Sequence, residues 1–190
     1  MNFSEIKNKS KSQINGKIGK LILITLIYIV ISVVASACTF GVGSIIIMPC
    51  MIIGYYNVYL KFVNTDELEI SNLYSGFKMI WKSIGTILVQ GIYIWLWSLL
   101  FIIPGIIKII SYAMTNYILI ENPDISINEA ISRSREMMEG NKMKYFLFQL
   151  SFLGWALLIP LTFGLISIYV VPYMQTANVN FYNSIKNKEV

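Results

Sequence analysis

The stretch LILITLIYIVISVVASACTFGVGSIIIMPCMIIGYYNVYL, residues 21–60, contains no Asp, Glu, Lys or Arg. A helix needs roughly 20 apolar residues to cross the hydrocarbon core of a bilayer. These 40 residues therefore predict two membrane-spanning helices, over about 21–39 and 44–60, joined by a tight turn. Gly41 and Gly43 lie in that turn, where glycine adopts turn conformations readily.

Two further stretches of the chain follow the same pattern. The last charge-free run is 41 residues long and predicts helices over about 145–160 and 163–182. Residues 83–120 hold a single charge, and they predict a third pair that turns at Pro104-Gly105. These runs show no alternation of apolar and polar residues, which favours helices over a β-barrel.

The overall composition agrees with this interpretation. Of the 190 residues, 56% are hydrophobic and 13% are charged, and the mean hydropathy of +0.63 lies outside the range of a soluble domain. The sequence predicts an all-α integral membrane protein with about six transmembrane helices in three hairpins, forming a single membrane domain over 1–190.

The positions of the basic residues predict the topology. With six spans, the segments 7–20, 61–82, 121–144 and 186–188 share one face of the membrane and carry 14 of the 15 basic residues. The positive-inside rule makes that face cytoplasmic. We therefore expect a multi-pass protein of the cell (cytoplasmic) membrane with both termini in the cytoplasm.

The end of the first predicted helix allows a second interpretation. Ala35-Ser36-Ala37 ahead of Cys38 resembles the cleavage site of a signal peptide or lipoprotein. Because another apolar span follows Cys38, a patch of small residues at a helix contact is favoured over cleavage. Cys38 and Cys50 form no CxxC or Cys/His pattern.

Polar stretches between the hairpins predict short cytoplasmic amphipathic helices. In DISINEAISRSREMMEG, Ser126 and Glu129 form a capping box, and Gly140 is a helix stop. This helix lies on the membrane surface or under the bundle, or it is a solvated connector. The basic N-terminal segment suits anionic lipid headgroups through Lys7, Lys9, Lys11, Lys17 and Lys20.

A threefold repeat is also indicated. Three glycines are each followed, after 43, 41 and 42 residues, by a tyrosine with an asparagine just before it. The glycines are Gly16, Gly76 and Gly140, and the pairs are Asn57 with Tyr59, Asn116 with Tyr117 and Asn180 with Tyr182. This spacing predicts repeats over 1–62, 63–122 and 123–185, with a pseudo-symmetry axis along the membrane normal. The alternative is that Gly, Lys and Tyr recur at the interfaces of any hairpin membrane protein.

The sequence SRSREMMEGNKMKYFLFQLSFLGWALLIPLTFGLISIYVVPYMQTANVNFY, residues 132–182, resembles the DUF975 family of bacterial integral membrane proteins. LWSLLFIIPGIIK (96–108) and the Y-x-M-T-x-Y segment (112–117) resemble the middle of that family. The resemblance covers nearly the whole chain. It implies a six-span architecture and no established activity.

Catalytic chemistry has little support in this sequence. The chain contains no histidine, which is the usual general base at neutral pH and the commonest metal ligand. No acidic residue falls in a predicted span, and no P-loop, dinucleotide-binding or GxSxG motif occurs. We therefore expect no enzyme activity, no catalytic or cofactor-binding residues and no metal site. The net charge of +5 is explained by membrane orientation, so no nucleic-acid partner is expected either.

Two functional classes follow. The first is an accessory, scaffold or lipid-interacting membrane protein, whose partners are the lipid bilayer and another membrane protein. The second is a small transporter or permease subunit, with Asn57, Asn116 and Asn180 between the helices. A polar cavity on which the three asparagines converge favours transport, and a closed core with lipid-sized grooves favours the first class.

Lys108 is the remaining candidate. With a turn at Pro104-Gly105 it lies about three residues into the fourth helix, near the outer surface. Its ammonium then either snorkels to the outer headgroups or binds an anionic headgroup or substrate.

Overall fold

The computed structural model describes residues 3–38, 43–100, 102–162 and 164–186, which form helices and short connections without a strand. The all-helical prediction is therefore confirmed. In chain order the elements are α1 (Phe3–Ile14), α2 (Ile18–Cys38), α3 (Ser44–Thr65), a 3₁₀ helix (Ile70–Met79), α4 (Ile80–Leu100), α5 (Ile102–Ser111), α6 (Thr115–Glu121), α7 (Ile127–Met137), α8 (Lys142–Leu150), α9 (Leu153–Leu161) and α10 (Ser167–Lys186).

Five helical segments in the described part of the chain are long and apolar enough to cross a membrane. They are Ile18–Cys38, Ile45–Thr65, Ile70–Leu99, Ile103–Glu121 and Lys142–Leu161. The sixth predicted span corresponds to α10, which is not among them. Its second half carries amide side chains such as Asn178 and Asn180, which lower its hydropathy. Six spans in three hairpins therefore stay a prediction.

The predicted turn at Pro104-Gly105 is wrong. Both residues lie in the first turn of α5, which begins at Ile102, while α4 ends at Leu100. Proline is tolerated there because the first N–H groups of a helix have no partner within the helix. Gly105 instead packs closely against α4, since a methyl group at this position would lie too close to the Ser98 hydroxyl oxygen, which would have to rotate away.

The other two predicted turns differ in whether a glycine adopts a conformation that other residues avoid. Gly41 lies outside the described residues, and Gly43 has a φ of −66°, which any residue adopts. The turn after α9 does use glycine, because Gly164 has a φ of 83°. The Gly164 N–H donates to the Ile159 carbonyl at 2.8 Å, which closes the end of α9.

The helix of the fourth span is interrupted between α5 and α6, and a serine that is distant in sequence forms hydrogen bonds with backbone groups at this interruption. The Ser134 hydroxyl donates to the Ser111 carbonyl at 2.8 Å and accepts from the Met114 N–H at 3.2 Å. Helix α7 reaches this point because it folds back antiparallel to α6. Ser134 thereby satisfies one acceptor and one donor that the break leaves without helical partners.

The helix of the fifth span is interrupted between α8 and α9, and a lysine of the N-terminal helix forms a hydrogen bond with a backbone carbonyl at this interruption. The Lys7 ammonium donates to the Ser151 carbonyl at 2.9 Å and lies 4.4 Å from the centre of the Phe152 ring. Burial lowers the pKa of Lys7. Helix α1 is therefore joined to the bundle through one of the lysines predicted to face lipid headgroups.

Helix α7 begins as the sequence predicts. The Ser126 hydroxyl accepts the Glu129 N–H at 3.1 Å, and Gly140, just beyond the helix, has a φ of 71°. Ala130, Ile131 and Ser134 are buried on one side of α7. Its location at a membrane surface stays a prediction.

The last helix of each predicted repeat packs on the first element of another. Helix α3 contacts the 3₁₀ helix, α6 contacts α7, and α10 contacts α1. The repeat tyrosines Tyr59, Tyr117 and Tyr182 are buried, each about 1% exposed or less, and the rings of the last two stack 5.1 Å apart. The contacts are compatible with three equivalent units, and the repeat itself stays a prediction.

Candidate functional site

The three predicted asparagines do not converge on one site. The Asn57 amide donates to the Ser75 hydroxyl at 2.9 Å, so it joins α3 to the 3₁₀ helix. The Asn180 side-chain amide donates to the Ser10 hydroxyl at 3.0 Å and to the side-chain oxygen Oε1 of Gln13 at 2.6 Å, so it joins α10 to α1. Both side chains are thus used in helix packing.

Asn116 is different because it faces a cavity of about 430 Å³. We call this volume the amide cavity; it is lined by Tyr56, Gln90, Ile94, Ile106, Ile109, Ile110, Tyr112, Ala113, Asn116, Tyr145, Phe146 and Gln149. Three of these described lining side chains are amides, and none of them is charged.

Two amide atoms at this cavity lack hydrogen-bond partners. Asn116 Oδ1 and Gln90 Nε2 are buried without a partner in the described part of the chain. Asn116 is 8% exposed, and its amide neighbours the Tyr56 phenol. The third amide differs, because Gln149 Nε2 donates to Asn178 Oδ1 at 2.8 Å. Two residues that line the cavity therefore carry one unpaired acceptor and one unpaired donor, and neither atom is exposed at the cavity surface.

A second volume, of about 490 Å³, lies beside the amide cavity between α5 and α8. We call it the α5–α8 groove; it is lined by Ile103, Ile106, Ile107, Ile110, Lys142, Met143 and Phe146. Among the described residues that line it, Lys142 alone is charged. Ile106, Ile110 and Phe146 line both volumes, so these three side chains separate the groove from the cavity.

Lys108 lies deeper in its helix than predicted. It is in the last turn of α5, six residues after Ile102, and its ammonium is 4.3 Å from the centre of a Trp97 ring. The positive charges of Arg135 and Lys142 lie close enough to the Lys108 ammonium to repel it. It therefore groups with basic residues predicted to be cytoplasmic. The sequence predicted Lys108 near the outer surface, away from Arg135 and Lys142. The structure brings them together because α7 folds back along α6, so that Arg135 lies at the level of α5.

Among the described residues, these three cations have no acidic partner. The ion pairs within the described ranges join Lys17 to Asp66, Arg133 to Glu129 and Lys186 to Glu121. None of them includes Lys108, Arg135 or Lys142. We call these three residues the cation cluster. The three positive charges repel one another, and a bound anion would attract all three. An anion beside the cluster is therefore electrostatically favoured.

The N-terminal lysines predicted to bind anionic lipid divide into two groups. Lys7 and Lys17 are engaged within the protein, the first at Ser151 and the second with Asp66. Lys9, Lys11 and Lys20 are exposed. In the described residues, no group of His, Cys, Asp and Glu is arranged to hold a metal ion.

Sequence reasoning missed Gln90, Arg135 and Lys142. Gln90 carried a detectable signal, since it is an amide in the middle of a predicted span. Arg135 and Lys142 carried none, because they are two of several basic residues in one connection. Their proximity to Lys108 depends on the direction of α7, which composition does not predict.

The comparisons with known proteins give a family and no activity. No curated protein matches the chain, and no solved structure matches it. The sequence matches the family described as "Protein of unknown function (DUF975)" over residues 1–115 and 105–189. Since these two segments together cover nearly the whole chain, the protein belongs to the DUF975 family.

Proposed function

We propose that this DUF975 protein is a non-enzymatic, lipid-interacting accessory or scaffold protein of the bacterial cytoplasmic membrane. It crosses the membrane several times, with both termini in the cytoplasm. Its α5–α8 groove takes an acyl chain of an anionic phospholipid, and the phosphate of that lipid lies at the cation cluster. Another membrane protein is its expected partner in the bilayer.

The observation that carries this proposal is the apolar groove with unpaired cations beside it. Ile103, Ile107 and Met143 offer the groove surface to an acyl chain. Lys142 lines the same groove, and Lys108 is within electrostatic range of it. A phospholipid combines an apolar chain with a phosphate, and arginine and lysine both bind phosphate well.

The size of the expected effect follows from the number of cations. Each Lys or Arg near a membrane surface contributes about 1 kcal/mol to the attraction of anionic lipid. Removing three charges should therefore weaken retention of anionic lipid at least about tenfold, since 1.4 kcal/mol corresponds to a factor of ten.

Native mass spectrometry of the full chain in detergent tests the proposal. Phosphatidylglycerol and phosphatidylcholine are added in equal amounts, and the bound fraction of each is measured. The protein should retain phosphatidylglycerol preferentially. The variant Lys108→Gln/Arg135→Gln/Lys142→Gln should lose this preference and keep its helical content by circular dichroism.

A matched control separates a specific site from general attraction. Lys9→Gln/Lys11→Gln/Lys20→Gln removes three exposed charges from the N-terminal segment, so its net charge changes equally. We expect this control to retain the preference for phosphatidylglycerol. A loss in the control that equals the loss in the cluster variant would contradict the assignment of the lipid to the α5–α8 groove.

A transporter or permease subunit is the second candidate function, and the amide cavity is the observation that favours it. Against it, Asn57 and Asn180 are used in packing and do not reach that cavity. Osmotic swelling of proteoliposomes in a glycerol gradient tests this candidate. Swelling faster than that of empty liposomes, and slowed by Gln90→Leu, would favour transport.

A further inference from the structure

We propose that the amide cavity binds a small uncharged solute, a polyol or an amide, which donates a hydrogen bond to Asn116 Oδ1 and accepts one from Gln90 Nε2. This inference is independent of the lipid proposal, because it uses a different volume and different polar atoms. It concerns binding, and it does not require that the solute crosses the membrane.

The two free amide atoms carry the argument. A buried donor or acceptor without a partner is unfavourable, and such atoms are rare in folded proteins. Here one unpaired acceptor on α6 and one unpaired donor on α4 belong to residues that line the same cavity, and rotation of the two side-chain amides would turn these atoms toward a bound molecule. A single bound molecule that has both a donor and an acceptor would satisfy both atoms at once.

The lining of the cavity defines the class of solute. None of the described residues that line it is charged, so an ion entering it would lose hydration without gaining a counter-charge from them. Isoleucines from α4 and α5 form an apolar wall, with Ile94 on one helix and Ile109 on the other. An uncharged molecule with a short carbon skeleton and hydroxyl or amide groups fits both surfaces.

The size of the cavity also fits a solute larger than one water. About 430 Å³ lies within the range of small-molecule sites, which is roughly 300–1,000 Å³. Tyr112 and Tyr145 line the cavity as well and add aromatic surface. Such a site binds small polar molecules through a few placed hydrogen bonds and otherwise apolar contact.

Saturation-transfer NMR on the full chain in perdeuterated detergent tests this proposal. The probes are glycerol, acetamide and, as the charged analogue, acetate. Glycerol or acetamide should bind to the protein, and acetate should not. In Gln90→Leu and in Asn116→Leu, binding should weaken about tenfold, as expected for the loss of one hydrogen bond in a buried site.

The matched control is Asn122→Leu. Asn122 follows α6 directly, lies outside the cavity lining, and donates only to the Ile118 carbonyl of its own helix. Its replacement should leave solute binding unchanged. Thermal melts followed by circular dichroism verify folding, and Gln90→Leu alone decides the outcome if Asn116→Leu does not fold.

Three results would overturn the proposal. Absence of binding by both glycerol and acetamide would mean that only water occupies the cavity. Equal binding by the protein and Gln90→Leu would mean that the solute sits elsewhere. Acetate binding as strongly as acetamide would contradict the uncharged class.

Discussion

Gly76 in the 3₁₀ helix lies directly against the backbone carbonyl of Cys50 in α3. A methyl group built at Gly76 would overlap the Cys50 oxygen, and one built at Gly54 would overlap the Leu73 carbonyl oxygen. The two elements therefore touch backbone to backbone through one glycine on each side. This contact fixes the 3₁₀ helix to the bundle, and the Asn57–Ser75 hydrogen bond lies beside it.

We predict that Gly76→Ala destabilises the protein by at least about 2 kcal/mol, since overpacking costs roughly 1–3 kcal/mol and backbone atoms cannot move aside as a flexible side chain does. Unfolding in a titration with denaturing detergent, followed by circular dichroism, measures the change. Gly91→Ala is the control, because nothing lies within 4 Å of a methyl group there. Equal stability of the two variants would show that the backbone contact is absent.

Ser134→Ala should destabilise the break between α5 and α6. It leaves the buried Ser111 carbonyl and Met114 N–H without the Ser134 hydroxyl, and an unsatisfied buried group costs about 1–3 kcal/mol. Thermal unfolding in detergent measures the loss. Ser132→Ala, at an exposed position of the same helix, should change stability by less than about 0.5 kcal/mol. A Ser134→Ala variant as stable as Ser132→Ala would refute the role of this hydroxyl.

Lys7→Met should loosen the break between α8 and α9. The substitution removes the donor to the Ser151 carbonyl and the cation over the Phe152 ring, while keeping a long side chain. Hydrogen exchange of amides near residue 151 should become faster by about tenfold, which corresponds to roughly 1.4 kcal/mol of local stability. Lys9→Met, at an exposed position of α1, should leave this exchange unchanged. Equal exchange in both variants would mean that α1 does not hold the break.

Glu121→Gln should release the end of α10. Glu121 Oε2 accepts from the Tyr182 hydroxyl at 2.6 Å and from the Lys186 ammonium at 2.7 Å. Losing the charge weakens two charge-assisted hydrogen bonds. We therefore expect the free energy of local opening of α10, measured by limited proteolysis, to fall by about 1–2 kcal/mol. The exposed Glu129–Arg133 pair is the control, and Glu129→Gln should cost about 0.5 kcal/mol or less. Proteolysis at the same rate in both variants would contradict this anchor.

Charge-free runs of sequence predicted the helical fold well, because hydrophobicity is read directly from composition. They did not predict the breaks at residues 112–114 and 151–152. At those breaks the carbonyls of Ser151 and Ser111 accept hydrogen bonds from Lys7 and Ser134, which are remote from them in the chain. Helix α10 was also difficult to interpret from sequence. Its Asn180 amide is buried against Ser10 of the remote helix α1, a partner that the local sequence of α10 does not reveal.

The candidate site was predicted only in part. Asn116 was identified as an amide between helices and does line a cavity, whereas Asn57 and Asn180 have packing partners elsewhere. Lys108 was identified as an isolated charge, but its neighbours follow from the reversal of α7. The threefold repeat rests on sequence spacing and on the pattern of helix contacts, and dissimilar hairpin geometry on superposition of 1–62, 63–122 and 123–185 would contradict it.

The most direct test of the account is photocrosslinking by an anionic lipid in a bilayer. Phosphatidylglycerol with a photoreactive group on its acyl chain is mixed into phosphatidylcholine nanodiscs that hold the full chain, and the labelled peptides are identified by mass spectrometry. We predict labelling concentrated on α5 and α8 around Ile107 and Met143, and reduced by Lys108→Gln/Arg135→Gln/Lys142→Gln. Labelling spread evenly over the exposed faces of α2, α4 and α9, and unchanged in that variant, would contradict a lipid site in the α5–α8 groove.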